Sequence, residues 1–400
     1  MTESFYSYVI IGGGLAGAAA VEGIREHDTA GSILLISAEH DAPYDRPPLS
    51  KQLWTGAKQV ESIFLHPQPF YTQHGVELKL ETDVTELDAT AHIVREGSGG
   101  SFRYNKLLLA TGGTPRRLTI SGGDMEGISY YRTLRDYQKM RAAASPGKSA
   151  VVIGGGFIGS EMAAAFSMNG LAVTMIFPED RLVSRVFPTE LGSALTDYYR
   201  SKNITVLGQD VPAAIERVAN GYVVHTRTGQ HIPADLVVVG VGITPNITLA
   251  KAAGLKTGNG IIVDEFLRSS DPDVYAAGDI AFFPDPVLGP RRIEHWDNAI
   301  TQGKHAGRNM AGANEPFTDM PYFFSDLFEF GYEAVGAVDS RLATFADWQE
   351  PNKTGVIYYV EGGRVRGAMM CNVWGKVDAA RELIRKGQPV RTEDLHQAIR

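Results

Sequence analysis

Two glycine stretches, Gly12-Gly-Gly-Leu-Ala-Gly17 and Gly154-Gly-Gly-Phe-Ile-Gly159, have the spacing that binds a dinucleotide pyrophosphate. In such a loop the first glycine permits a tight turn, the second lets backbone approach the phosphates, and the third lets helix and strand pack closely. Gly12, Gly14 and Gly17 meet these demands, as do Gly154, Gly156 and Gly159. The anion then rests on unpaired amides at the positive end of the helix that follows, where Leu15 and Ala16 stand in one copy and Phe157 and Ile158 in the other. A lone glycine pattern is weak. Here each copy follows an apolar run (Tyr8 to Ile11, Val151 to Ile153), opens an alanine-rich helix (Leu15 to His27, Ile158 to Asn169) and precedes a second apolar run near a carboxylate.

In the first copy that carboxylate is Glu39, placed to accept hydrogen bonds from ribose hydroxyls. In the second, the run Ala172 to Phe177 ends in Phe-Pro and the first carboxylate is Glu179. Glu179 and Asp180 would repel a 2′-phosphate, which favours NADH over NADPH, although Arg181 beside them is able to accept that phosphate. Two dinucleotide units on one chain point to a flavin, FAD, taking hydride from a nicotinamide, chemistry that side chains cannot perform. The single cysteine, Cys371, excludes an intrachain disulfide, a dithiol redox centre and a four-thiolate metal site. Ten histidines without paired ligand spacing, and the absence of a Gly-x-Ser-x-Gly elbow or Walker loop, leave no expectation of a metal, hydrolytic or NTP site.

The elements that must position these residues read as α/β. Short apolar runs ending in glycine, such as Leu107 to Ala110 and Leu236 to Val239, suit buried parallel strands, and helical patterns alternate with them. From Pro321 onward the pattern turns aromatic and alternating (Val356 to Val360, Arg366 to Cys371) and ends in a helix, the mark of a third, smaller domain. Boundaries fall near Leu118, Thr244 and Asp319. The net charge of −8 disfavours nucleic acid and anionic lipid. No signal peptide, transit peptide or membrane-spanning run is legible, so a cytoplasmic protein is expected, monomeric or homodimeric.

Beyond the glycine loops the chain resembles the two-dinucleotide-binding-domain flavoproteins of the pyridine nucleotide-disulfide oxidoreductase superfamily. The resemblance rests on Tyr44-Asp-Arg-Pro-Pro-Leu-Ser-Lys51, Ala110-Thr-Gly-Gly-Thr-Pro-Arg116, Gly240-Val-Gly-Ile-Thr-Pro-Asn246 and Val274-Tyr-Ala-Ala-Gly-Asp279. It implies two Rossmann-like domains of the glutathione-reductase type plus a smaller α+β C-terminal interface domain. These are an FAD domain (1–118 and 245–318), an NAD(P)H domain (119–244) and the interface domain (319–400). Glu294-His-Trp-Asp-Asn298 is similar to the bacterial ferredoxin reductases, while Phe177-Pro-Glu179 and Tyr322-Phe-Phe-Ser-Asp-Leu327 resemble the apoptosis-inducing-factor group. Disulfide reductases and thiol-dependent oxidases need a cysteine near Ser50, which this chain lacks.

By the same resemblance Lys51 reaches the flavin and pairs with Glu161, which also holds the nicotinamide, and Phe157 lies against the ring. A plain surface salt bridge and plain core packing are the bland alternatives. The resemblance also assigns FAD contacts to Arg46, the backbone near Val84, Ala110, Thr111, Gly112, Arg132, Asp279, Glu294, His295 and Trp296, and nicotinamide contacts to Gly242 and Glu294. The implied activity is transfer of electrons from NADH through FAD to a small ferredoxin or similar iron–sulfur protein. Arg291, Arg292, Arg341, Arg364, Arg366 and Lys376 are candidates for a basic docking patch. The alternatives are an apoptosis-inducing-factor-like enzyme with a long-lived reduced flavin–NAD charge-transfer complex and a quinone or other small acceptor, and a redox-sensing module whose partner affinity responds to NADH.

Overall fold

The computed structural model describes residues 4–399. The chain divides into two compact units, one from Met1–Asp45, Val60–Thr114 and Thr244–Tyr322, the other from Arg46–Gln59, Pro115–Ile243 and Phe323–Arg400.

The first unit is built on a sheet whose strands, in chain order, are β1 (Ser4–Ile11), β2 (Ile33–Ile36), β3 (Val76–Lys79), β4 (Val84–Asp88), β5 (Ile93–Glu96) and β6 (Ser101–Leu109). Their spatial order is β3-β2-β1-β6-β5-β4, with the short strand Val274–Ala276 also paired to β6. β1 runs parallel to both neighbours, Ile11 lying opposite Ile36 and Leu109. Val9, Ile10, Leu34, Leu35, Leu107 and Leu108 are wholly buried, the two-sided burial that parallel strands require. The helix Leu15–His27 crosses the helix Trp296–Met310. Glycines set that crossing: a Cβ on Gly23 would stand 2.0 Å from the Lys304 carbonyl oxygen, and Cβ atoms on Gly303 and Gly307 would each stand 2.2 Å from the carbonyls of Ala16 and Ala20. The helices therefore meet backbone to backbone.

The second unit holds a parallel sheet of β7 (Ile128–Tyr130), β8 (Ser149–Ile153), β9 (Ala172–Phe177), β10 (Thr205–Gly208) and β14 (Leu236–Val239), ordered β10-β9-β8-β14-β7. Three antiparallel strands, β11 (Pro212–Val218), β12 (Gly221–Thr226) and β13 (His231–Ala234), precede β14. Ile215, Tyr222 and Val224 pack into one core with Val151, Ile153 and Val237 of the parallel sheet. The helix Phe157–Met168 is buried from Gly159 to Phe166, which its apolar run requires. The C-terminal segment forms β15 (Tyr322–Leu327), β16 (Phe330–Gly336), β17 (Ala343–Glu350), β18 (Thr354–Glu361) and β19 (Arg364–Cys371), ordered β15-β16-β19-β18-β17, with the helix Val377–Lys386 against β16 and β19.

Gly303→Ala should lower unfolding stability by about 1–3 kcal/mol, because the added methyl forces the two helices apart. Urea titration of the purified variant checks this.

Candidate functional site

In the first unit the glycine loop joins β1 to the helix Leu15–His27. Gly12 has φ +123°, and a Cβ there would sit 2.1 Å from the Ala110 carbonyl oxygen, so only glycine fits. A Cβ on Gly17 would sit 2.0 Å from the Gly12 oxygen, while Gly14 faces open space and caps the helix with no side-chain hydrogen bond. The amides of Leu15 and Ala16 thus start a helix in front of a side-chain-free cradle. Glu39 lies just beyond β2, where the Tyr44 hydroxyl donates to its Oε2 at 2.6 Å. Val84 opens β4 opposite Glu96.

Asn246 ties down the turn after β6. Its Nδ2 donates to the Thr111 carbonyl at 3.0 Å and its amide to the Gly112 carbonyl at 2.9 Å, while Thr111 Oγ1 donates to the Asn246 carbonyl at 2.7 Å. Asp279 sits in the turn after Val274–Ala276, and there the Gly278 amide donates to Gln302 Oε1 at 3.0 Å and the Asp279 carbonyl accepts from Arg292 at 2.7 Å. Arg292 also pairs with Glu294 at 2.6 Å. The Trp296 indole donates to Asp45 at 2.7 Å. Burial pushes His295 down to about 4, against the upward pull of Asp279 and a Glu294 backbone hydrogen bond, so this imidazole is neutral at physiological pH.

In the second unit the second glycine loop repeats the geometry. Gly154 has φ +120°, a Cβ on Gly159 would lie 1.9 Å from the Gly154 oxygen, and Gly156 faces open space at an uncapped helix start shared with Phe157 and Ile158. The middle glycine packs on the end of β9, since a Cβ on Gly155 would meet the Phe177 ring at 2.7 Å. Glu179 follows on the next loop, and Arg181 beside it is engaged by both Asp180 oxygens at 2.7 and 2.9 Å. Gly242, at φ +95°, also faces open space. Arg46 donates to the Arg132 carbonyl at 3.0 Å, which brings together two residues expected in one site.

One turn along the helix from Phe157 stands Glu161, only 5% exposed. Lys51 Nζ donates to its Oε1 at 2.7 Å, Ser325 Oγ donates to the same oxygen at 2.6 Å, and Ser50 Oγ donates to Oε2. The Lys51 ammonium also lies 5.5 Å from the centre of the Phe324 ring, and Phe157 meets Phe323 edge to face at 5.6 Å. The Lys51 side chain is only 9% exposed, so the pair is no surface bridge. The sequence pattern alone singles out neither Ser325 nor Asn246. The signal for Ser325 is a hydroxyl among apolar neighbours on an alternating strand, and for Asn246 only its place at the end of Gly240-Val-Gly-Ile-Thr-Pro-Asn246. Two expected docking cations are occupied internally: Arg292 is spent on Glu294 and the Asp279 carbonyl, and Arg291 reaches Asp285 and the Leu288 carbonyl.

The profile of the pyridine nucleotide-disulphide oxidoreductases matches residues 6–303, and that of the apoptosis-inducing factor, mitochondrion-associated, C-terminal region matches residues 306–354. This chain belongs to the pyridine nucleotide-disulphide oxidoreductase family. It is 35% identical to the mitochondrial apoptosis-inducing factor 1 of Dictyostelium discoideum, over 98% of this chain and 80% of that protein. It is 34% identical to the ferredoxin–NAD(+) reductase component of the anthranilate 1,2-dioxygenase system of Burkholderia cepacia, over 95% and 94% of the two chains. Putidaredoxin reductase, solved in covalent complex with putidaredoxin, superposes with a TM-score of 0.92 at 29% identity, covering 97% of this chain and 95% of that one.

The family member is an FAD-dependent NAD(P)H oxidoreductase of the electron-transfer reductase kind, with the two-nucleotide-domain fold and a C-terminal domain. Its two cradles, each lacking any Cβ in front of uncapped helix amides, fit the pyrophosphates of FAD and NAD(P)H. Among the described residues no helix is long and apolar enough to cross a membrane.

Lys51→Met should cost about 3–5 kcal/mol of unfolding stability by leaving the Glu161 carboxylate buried without its cation. The double variant Lys51→Met/Glu161→Leu should recover most of that loss. Denaturant titration of the single and double variants reads both effects.

Proposed function

We propose that this oxidoreductase draws hydride from NADH and delivers single electrons to a small ferredoxin-type iron–sulfur protein. The observation that carries the reading is the residue beside the buried pair. A serine, Ser50, touches Glu161 where disulfide chemistry would need a thiol, and the lone Cys371 is fully buried with its thiol pushed well above its ordinary range by burial. With no exchangeable thiol, electrons must leave to an external acceptor. Bound FAD would supply the change from a two-electron donor to a one-electron acceptor.

The chain's own residues have distinct proposed parts. Gly12, Gly14, Leu15, Ala16, Gly17 and Glu39 would hold the pyrophosphate and ribose of FAD, with Arg46, Val84, Ala110, Thr111, Gly112, Arg132, Asp279, Glu294, His295 and Trp296 along the rest of the cofactor. Gly154, Gly156, Phe157, Ile158, Gly159, Glu179, Gly242 and Glu294 would receive NADH. Glu161, fixed by Lys51 and two hydroxyls, would accept a hydrogen bond from the carboxamide and orient the ring. Lys51 would place positive charge where electron density rises. The three-domain division at 118, 244 and 318 belongs to the same proposal.

The preference for NADH is supported by Arg181, whose guanidinium is already held by Asp180 and would have to leave it to meet a 2′-phosphate. A polar recess of about 240 Å³, lined in part by Asp180, Gly208, Gln209 and Asp210, opens beside the ends of β9 and β10, where ligands of such sheets bind. For docking, Arg364 remains exposed on β19 with Lys376 just after that strand.

The second reading, an apoptosis-inducing-factor-like enzyme with a small acceptor, is favoured by the match of residues 306–354. Steady-state oxidation of NADH with a [2Fe–2S] ferredoxin, with a quinone and with oxygen separates the two. Ferredoxin-dependent turnover that weakens with salt, with a raised KM in Arg364→Glu/Lys376→Glu, is the expected result. Turnover that ferredoxin leaves unchanged while quinone sustains it would overturn the proposal.

A further inference from the structure

Outside the nucleotide loops, the antiparallel strands β12 and β13 set His225 directly opposite His231. Their neighbours Tyr222, Val224 and Thr226 point the other way, into the core. Both imidazoles therefore leave the outer face of the hairpin side by side, with Nδ1 atoms 2.6 Å apart and ring planes at 78°. Two facing ring nitrogens at this distance share one proton, since two lone pairs or two N–H groups would repel. On the far side of the His225 ring, Glu216 Oε2 lies 3.2 Å from Nε2. A carboxylate there holds the proton on Nε2, which leaves the His225 Nδ1 lone pair facing His231 and assigns the shared proton to His231.

We propose that His225 and His231 form a binding site for a divalent transition-metal ion of the Zn²⁺, Ni²⁺ or Cu²⁺ class. The ion takes the place of the shared proton, bound by both Nδ1 atoms at about 2.0–2.1 Å. The nitrogens then sit roughly 3 Å apart, a small opening from their present distance that two partly exposed side chains can make. Water fills the remaining positions. Among the described residues no group of three or more His, Cys, Asp or Glu side chains is arranged to hold a metal, and Glu216 is not a third ligand. It acts through His225, fixing the tautomer and the orientation of the ring. Two imidazoles select this metal class over Mg²⁺ and Ca²⁺, which favour oxygen donors. The bound ion would clip β12 to β13, and by mass action it would stabilise the fold.

Equilibrium dialysis of the untagged, EDTA-stripped flavoprotein against Zn²⁺, repeated with Ni²⁺ and Mg²⁺, tests the site. One saturable Zn²⁺ or Ni²⁺ equivalent is expected, with a raised thermal midpoint and no Mg²⁺ uptake. His225→Asn and His231→Asn should each abolish it, and Glu216→Gln should weaken it about tenfold or more. The flavin spectrum of each variant verifies folding. No saturable equivalent in the wild-type protein, or affinity unchanged in either histidine variant, would overturn the proposal.

Discussion

Glu161 is a carboxylate taken almost completely out of water, and the arrangement of its unit follows from satisfying it. Removing such a charge from solvent costs several kcal/mol, which is offset only by close, well-directed partners. Two separate stretches supply them to the helix Phe157–Met168 that bears Glu161: the turn Pro47–Ser50 with Lys51, and β15 with Ser325. Each partner is distant in sequence, so the contact forms only when all three stretches have folded together. This gives a physical reason for residues 46–59 and 323–400 to be grouped with the nucleotide sheet at 115–243. Tyr199 and Tyr332 nearby are pushed well above the ordinary tyrosine range, chiefly by burial and further by the negative charge of Glu161, so they remain neutral beside it.

The two glycine loops solve the same problem twice with different walls. In the first, the middle glycine lies against Ser37, and in the second it lies against Phe177. A small hydroxyl at the end of β2 and a phenyl ring at the end of β9 give the two loops different walls. The first loop is further braced by the glycine crossing of the helices Leu15–His27 and Trp296–Met310, where backbone contact replaces side-chain packing.

Features written in local spacing were legible from the sequence. The glycines, the apolar runs and the alanine-rich patterns located the helix Leu15–His27 and the strands Ala172–Phe177 and Leu236–Val239 at the bounds the structure has. The second loop's helix begins one residue earlier than its pattern suggested, at Phe157, because Gly156 takes the capping position. Features that depend on register or long-range closure were not legible. Ser325 reaches Glu161 only through the placement of β15, and His225 meets His231 only because the hairpin pairs them across its strands. The charge of Arg292 was visible, but its consumption by Glu294 and the Asp279 carbonyl depends on contacts that spacing does not reveal.

In the proposed function the Glu161 carboxylate, held by Lys51, Ser50 and Ser325, would orient the nicotinamide for hydride transfer. The most direct test is anaerobic rapid mixing of NADH with the wild-type protein and with Glu161→Gln, following loss of the flavin absorbance band over a range of NADH concentrations. The neutral, nearly isosteric glutamine should slow the limiting bleaching rate by about tenfold or more, the scale expected when a positioning contact is lost. A variant that retains its flavin and bleaches at the wild-type limiting rate with the same NADH dependence would contradict it.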